Sequence, residues 1–212
     1  MHWIEEAGLI AVVRLPDLGR AVRLADALAD GGVRLLEFTY TNREAGAAIA
    51  EVRRALGERC RVGAGSVLDA ETARQAILSG AEFIVTPTLR LATIELCRRY
   101  AVPSVIGAFS PTEILTAWES GADYVKVFPA SLAGPQYFKD VLGPLPQVKL
   151  IPTGGVTIET APRFFQSGAV AVAVGGHLIN AAAVEDGDWT GIQRRAAEWV
   201  RLVDESRGMA GR

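Results

Sequence analysis

Ser120-Gly121-Ala122-Asp123-Tyr124-Val125-Lys126-Val127-Phe128-Pro129 reads as a helix end, a glycine that turns the chain, and a short apolar strand. The same Ser-Gly-Ala phrase stands at Ser79-Gly80-Ala81 and Ser167-Gly168-Ala169, with Gly31-Gly32 as a looser fourth. Each glycine is placed to take the left-handed conformation that closes a helix, and a buried run starts within a few residues. The recurrence, about forty to fifty residues apart, marks alternate βα units of one repeating plan.

On either side of these junctions, apolar runs begin near Leu9, Val33, Arg61, Glu82, Val102, Asp123, Val148 and Val170, which makes eight strands. Amphipathic segments follow them, for example Leu18 to Ala29 and Ala70 to Leu78. Hydrophobicity that is continuous rather than alternating implies a parallel sheet covered on both faces. The pattern predicts an α/β fold, a (β/α)8 TIM barrel forming a single domain over 1–212, with an extra N-terminal helix from about His2 to Ala7 that plugs one end. An open doubly wound sheet is the alternative, and the chain lacks a Gly-x-Gly-x-x-Gly after its first strand.

Composition narrows the function. A formal net charge of -2 with mixed acids and bases gives no excess of cations to neutralise phosphates, so no nucleic-acid partner is expected. No apolar run reaches the ~20 residues of a membrane span, and the start lacks a signal-peptide layout, so no membrane partner is expected. Cys60 and Cys97 match no metal-ligand spacing and read as reduced thiols of a cytoplasmic protein, with a tertiary contact between them as the alternative. With only His2 and His177 present, the expected chemistry uses no metal and no cofactor.

In a barrel of this kind functional residues gather at the C-terminal strand ends. Those ends carry Arg14, Glu37 with Thr39, Gly63-Ala64-Gly65-Ser66, Thr86-Pro87, Gly107, Lys126 with Phe128, Thr153-Gly154-Gly155 and Gly175-Gly176-His177. Lys126 is one of three lysines in a chain of nineteen arginines, and alternation puts it on the same strand face as Tyr124 and Phe128. Desolvation there disfavours the ammonium; a shift of roughly three units from ~10.4 costs about 4 kcal/mol and yields a nucleophilic amine near neutral pH. Such an amine attacks a carbonyl to form a Schiff base. A lysine that snorkels into solvent or pairs with a carboxylate is the other reading.

Glu37 interrupts the apolar run Leu35-Leu36-Glu37-Phe38-Thr39 and needs a partner, with Lys126 the obvious one across the barrel. It is either a structural ion pair or a general acid/base beside the lysine adduct. Gly154-Gly155 and Gly175-Gly176 follow the seventh and eighth strands, where bare backbone suits a phosphate. Gly63-Ala64-Gly65-Ser66 is either a tight turn or a ligand loop, His177 either a phosphate donor or a solvated side chain, and Arg14 either a carboxylate clamp or a surface ion-pair partner.

Taken in order, Leu36-Glu37-Phe38-Thr39, Val62-Gly63-Ala64-Gly65-Ser66-Val67-Leu68, Thr86-Pro87, Ile106-Gly107-Ala108-Phe109-Ser110-Pro111-Thr112-Glu113, Lys126-Val127-Phe128-Pro129-Ala130 and Ile151-Pro152-Thr153-Gly154-Gly155-Val156 resemble the class I aldolases of 2-keto-3-deoxy-6-phosphogluconate and 4-hydroxy-2-oxoglutarate. The resemblance runs from about Leu9 to Asn180. It implies a metal-free homotrimer that cleaves a 2-keto-4-hydroxy acid, a small-molecule sugar-acid phosphate, to pyruvate and an aldehyde. It also implies Lys126 as the Schiff-base lysine, Glu37 as acid/base, Ser66 on the pyruvoyl carboxylate, Thr153 on a substrate hydroxyl, Pro87 and Phe128 at the adduct, and Gly154, Gly155, Gly175, Gly176 and His177 at the phosphate. The chain departs from the family in having Thr41 where an arginine is common, Ile106 for a proline and His177 for a serine. Either Arg14 or Arg43 supplies the missing cation, or affinity for the substrate carboxylate is weaker. A phosphate-binding barrel isomerase or synthase, an aldolase for the galactonate epimer, and a silent sugar-phosphate binder are the competing readings.

Overall fold

A computed structural model describes residues 2–210 of the chain; Met1, Gly211 and Arg212, which the expected domain of 1–212 includes, lie outside the described residues. The strands are β1 (Leu9–Val13), β2 (Leu35–Thr39), β3 (Arg61–Gly65), β4 (Ile84–Val85), β5 (Ser104–Ala108), β6 (Tyr124–Val127), β7 (Leu150–Pro152) and β8 (Val172–Val174). They pair in parallel in the order β7-β6-β5-β4-β3-β2-β1-β8. A bridge between Thr153 and Ala173, with Val170 N–H donating to the Leu150 carbonyl, brings β7 against β8 and rounds the sheet into a (β/α)8 barrel.

The helices are α1 (Trp3–Ala7), α2 (Ala21–Asp30), α3 (Ala45–Leu56), α4 (Ala70–Leu78), α5 (Leu91–Arg99), α6 (Pro111–Glu119), α7 (Ala130–Leu142), α8 (Ala161–Gln166), α9 (Ala181–Asp186) and α10 (Trp189–Ala210). The repeated glycine junctions behave alike. Gly32, Gly80, Gly121 and Gly168 have φ of 96°, 100°, 93° and 93°. The next residue in each case (Val33, Ala81, Ala122, Ala169) returns its N–H to a carbonyl five residues back, the Schellman closure. That closure uses Val33 as helix cap, which is why β2 starts two residues later than the apolar run. At α2 the helix starts at Ala21 rather than Leu18, because Gly19 N–H donates to Asp17 Oδ1 and Ala21 N–H donates to the Leu18 carbonyl, making a turn first.

Both sheet faces are apolar, which is why the strands read as continuous runs. Leu9, Ala11, Leu36, Phe38, Val62, Val125 and Val172 pack outward against the helices. Ile10, Val12, Leu35, Phe83, Val85, Val105, Tyr124, Ile151 and Ala173 fill the lower barrel, closed by Ile4 of α1 with Trp3 beside it. Successive residues face opposite ways, so Glu37, Gly63, Gly65, Gly107, Lys126 and Thr153 lie on the inward face above that plug.

Candidate active site

Lys126, on β6, is 3 % exposed and Glu37, on β2, is 0 % exposed, and Lys126 Nζ stands 4.0 Å from Glu37 Oε1. That is an ion-pair distance and too long for a hydrogen bond. Neither carboxylate oxygen of Glu37 has a hydrogen-bond partner among the described residues, and the same holds for the buried Thr153 Oγ1. The ammonium also lies over the Phe128 ring, 5.4 Å from its centroid. Burial pushes the Lys126 amine below its ordinary value; Glu37 opposes the shift and the Arg14 guanidinium adds to it.

Glycines make the room. A Cβ on Gly65 would fall 1.9 Å from Glu37 Oε1, so the carboxylate occupies the space a side chain on β3 would take. A Cβ on Gly63 would meet the Phe83 ring at 2.5 Å. Gly63-Ala64-Gly65 is therefore strand rather than turn, and its glycines are cut-outs for neighbouring side chains. Only Ser66 turns, with φ of 56°, a conformation a β-branched residue would enter at greater cost. The sequence reading missed this role; the signal was the spacing of two on one strand, which puts both glycines on the inward face.

A cleft of about 240 Å³ opens beside Phe128 and is lined by Arg14, Phe128, Thr153, Gly154, Gly155, Gly175, Gly176 and His177. Every residue expected at the phosphate end thus borders one space, together with Arg14 and Thr153. Gly154 and Gly155 have φ of 88° and 75°, which turns the β7 loop out along the Phe128 ring. Past Arg14 the cleft adjoins a second space lined by Leu15, Ile179, Asn180 and Ala181. Arg14, one residue beyond β1, is exposed. Ser66 and Pro87 do not border the cleft and sit on the far side of the barrel mouth, after β3 and β4. Asn42 went unremarked in the sequence: its Nδ2 donates to the Leu15 and Pro16 carbonyls at 3.2 and 3.0 Å, tying the loop after β2 to the loop that carries Arg14. Thr41, at the position of the common arginine, instead pairs its hydroxyl with that of Thr39 at 2.8 Å.

The family model for KDPG and KHG aldolase matches residues 2–195. The chain belongs to that aldolase family. Its members are carbon–carbon lyases, and the curated relatives are similar over nearly their whole length. The 2-dehydro-3-deoxy-phosphogluconate aldolase of Treponema pallidum (strain Nichols) is 33 % identical over 201 residues, 94 % of this chain and 95 % of that protein. The 2-dehydro-3-deoxy-6-phosphogalactonate aldolase of Escherichia coli (strain K12) is 30 % identical over 182 residues, 85 % of this chain and 89 % of that one. Among solved structures, the KDPG aldolase of Legionella pneumophila, with pyruvate captured at low pH as a covalent carbinolamine intermediate, superposes with a TM-score of 0.86 at 25 % identity, covering 92 % of this chain and 95 % of that one.

Proposed function

We propose that this aldolase cleaves 2-keto-3-deoxy-6-phosphogluconate to pyruvate and glyceraldehyde 3-phosphate through an imine on Lys126, without a metal. The observation that carries the proposal is the buried Lys126 amine, held below its ordinary pKa, beside a Glu37 carboxylate that has no hydrogen-bond partner among the described residues. A pair that served stability alone would close to hydrogen-bond distance and satisfy both oxygens. Here both groups keep bonding capacity in reserve for a substrate.

The neutral amine attacks the C2 ketone to give a carbinolamine, which loses water to an iminium. Glu37 takes the C4 hydroxyl proton, directly or through one water; the C3–C4 bond breaks, its electron pair moves into the iminium, and the aldehyde departs. The enamine is protonated at C3 and hydrolysed to pyruvate and free lysine. Phe128 and Pro87 wall the adduct, Ser66 receives the pyruvoyl carboxylate, and the unpartnered Thr153 hydroxyl meets a substrate hydroxyl. Gly154, Gly155, Gly175 and Gly176 offer bare backbone to the phosphate, with His177 and Arg14 supplying donors at the same cleft.

4-Hydroxy-2-oxoglutarate, cleaved to pyruvate and glyoxylate, belongs to the same reading as a smaller substrate. The galactonate epimer is the second reading, favoured by the 30 % identity to an aldolase of that name. Assembly as a homotrimer rests on the family resemblance, and a reducing, cytoplasmic setting suits two cysteines that are both buried and free.

The deciding experiment is borohydride reduction in the presence of pyruvate, followed by mass analysis. A covalent pyruvate adduct on Lys126 is expected, whereas an isomerase or synthase that used the lysine only as a charge would leave none. Steady-state rates on the phosphorylated acid, its C4 epimer and 4-hydroxy-2-oxoglutarate then rank the substrates.

A further inference from the structure

β4 is the shortest strand, only Ile84–Val85. Its last ladder bond runs from Thr86 N–H to the Val105 carbonyl at 3.1 Å. Beyond that point a side chain replaces the ladder. Thr86 Oγ1 accepts from the Gly107 N–H at 3.0 Å and donates to the Thr88 carbonyl at 2.7 Å. The backbone is released from the sheet and turns toward the barrel axis. A Cβ on Gly107 would stand 2.2 Å from the Pro87 carbonyl carbon and 2.4 Å from Thr88 N, so the Pro87–Thr88 main chain lies where a side chain of β5 would otherwise project.

Gly107 is the register partner of Lys126. Paired residues of adjacent strands project to the same face, so the space Pro87 enters is the space next to the lysine side chain. Alternation from Val85, which packs inside the barrel, turns Thr86 outward and Pro87 inward. Thr86 is fully buried, and its single O–H is committed to Thr88. It has no donor to offer a substrate and acts through the loop it holds.

We infer that Thr86 is a positioning residue for the aldol reaction: its hydroxyl fixes the Pro87–Thr88 main chain against Gly107 as the wall of the pocket beside Lys126. The inference rests on the proposed role of Lys126 and adds a residue to it. A geometric role near the reacting carbon shows in kcat, since misplacement by about 1 Å costs up to roughly 100-fold. The phosphate end, across the barrel mouth at Gly154 and Gly175, stays as it was.

The test compares Thr86→Val, which keeps the shape and removes the hydroxyl, with Thr86→Ser, which keeps the hydroxyl. Inorganic phosphate as a competitive inhibitor reports on the distal end. Expected are a kcat loss of about tenfold or more in Thr86→Val, kcat within about threefold in Thr86→Ser, and a phosphate inhibition constant unchanged within about twofold in both. Wild-type turnover in Thr86→Val, an equal loss in Thr86→Ser, or phosphate inhibition that weakens in step with kcat would each overturn the inference. Should Thr86→Val fail to fold, Thr86→Ser and Gly107→Ala decide it, because a Cβ at position 107 must displace Pro87 while Thr86 is intact; normal kcat in Gly107→Ala overturns the inference. Absence of a pyruvate adduct on wild-type Lys126 would instead remove the imine reading itself, so the two failures are distinguishable.

Discussion

Two lysine–glutamate pairs occupy opposite ends of this barrel, and they are built differently. At the plugged end, Lys149 Nζ lies 2.7 Å from Glu5 Oε1, and that same oxygen accepts from Tyr124 OH at 3.0 Å and meets His2 Nδ1 at 3.2 Å. Both side chains are about one-third exposed, 32 % and 27 %. At the open end, Lys126 and Glu37 are buried, 4.0 Å apart, and the carboxylate has no hydrogen-bond partner among the described residues. Tyr124 and Lys126 are two residues apart on one face of β6, so a single strand serves both pairs. The lower pair takes the geometry that stabilises a fold. The upper pair is kept from it, because the cut-out at Gly65 holds the Glu37 carboxylate and the Phe128 face takes part of the ammonium's field. An arrangement that costs stability where a cheaper one is available on the same strand points to chemistry.

A matched substitution separates the two pairs. Lys126→Arg keeps the charge and cannot be deprotonated, so cleavage should fall by at least ~10³-fold, the loss expected when an essential group is removed. Lys149→Arg should leave kcat within about twofold, since a partly exposed ion pair is worth only ~1 kcal/mol or less. Turnover measured on folded variants of each checks the contrast, and substantial cleavage by Lys126→Arg would make the upper pair as structural as the lower. Next in size, Glu37→Gln should lower kcat by roughly 10²- to 10⁴-fold through loss of proton transfer, with Glu5→Gln as its near-silent counterpart. A sugar-phosphate binder without catalysis would show no such difference.

Sequence encodes the upper pair and hides the lower one. The upper pair stood out because Glu37 and Lys126 each interrupt an apolar strand, and a charge in a buried run has few reasons to be there. The Ser-Gly-Ala junctions gave the βα period, and the order of strands follows from connectivity in a parallel barrel. The lower pair was invisible: Glu5 sits in a short polar start and Lys149 at a strand edge, and only the packing of α1 under the barrel brings them together across 144 positions. The turn reading at Gly65 fails, and the use of Gly107 goes unread, for a related reason. A glycine in sequence announces freedom of the backbone, whereas here its use is the absence of a Cβ, which is meaningful only once the neighbouring strand is known. Asn42 is the same kind of case, a loop residue whose amide bridges to another loop.

The stability of the two ends should separate as well. Lys126→Met leaves Glu37 buried and alone and should cost about 3–5 kcal/mol, whereas Lys126→Met with Glu37→Gln should be neutral or more stable than wild type by about 1–4 kcal/mol. Denaturant midpoints at pH 7 measure both. The wild type should also gain stability as pH rises. Its folded lysine has a lower pKa than the unfolded value of ~10.4, so between those two values the unfolded chain binds more protons and the penalty for burying the ammonium fades. The double variant should lack that slope.

The smallest effect belongs to Glu5. Burial pushes its carboxyl up, yet the bonds from Lys149, His2 and Tyr124 outweigh burial and hold it below its ordinary 4.5. A depressed carboxyl contributes stability that is present above the unfolded value and lost as pH falls through the folded one. The increment is about 1 kcal/mol or less, because solvent reaches the pair. Glu5→Gln should therefore unfold at a lower temperature than wild type at pH 7, by a few degrees at most, and the gap should close as pH falls below the ordinary 4.5 and through the lowered folded value, where the wild-type carboxyl takes up its proton. Added salt should narrow the gap at pH 7 and leave the effect of Lys126→Met nearly unchanged, since screening reaches exposed charges far better than buried ones. If the Glu5 gap survives both acid and salt, the plugged end is held by packing of Ile4 and Trp3 rather than by its ion pair, and the contrast between the two ends becomes one of apolar plug against buried charge.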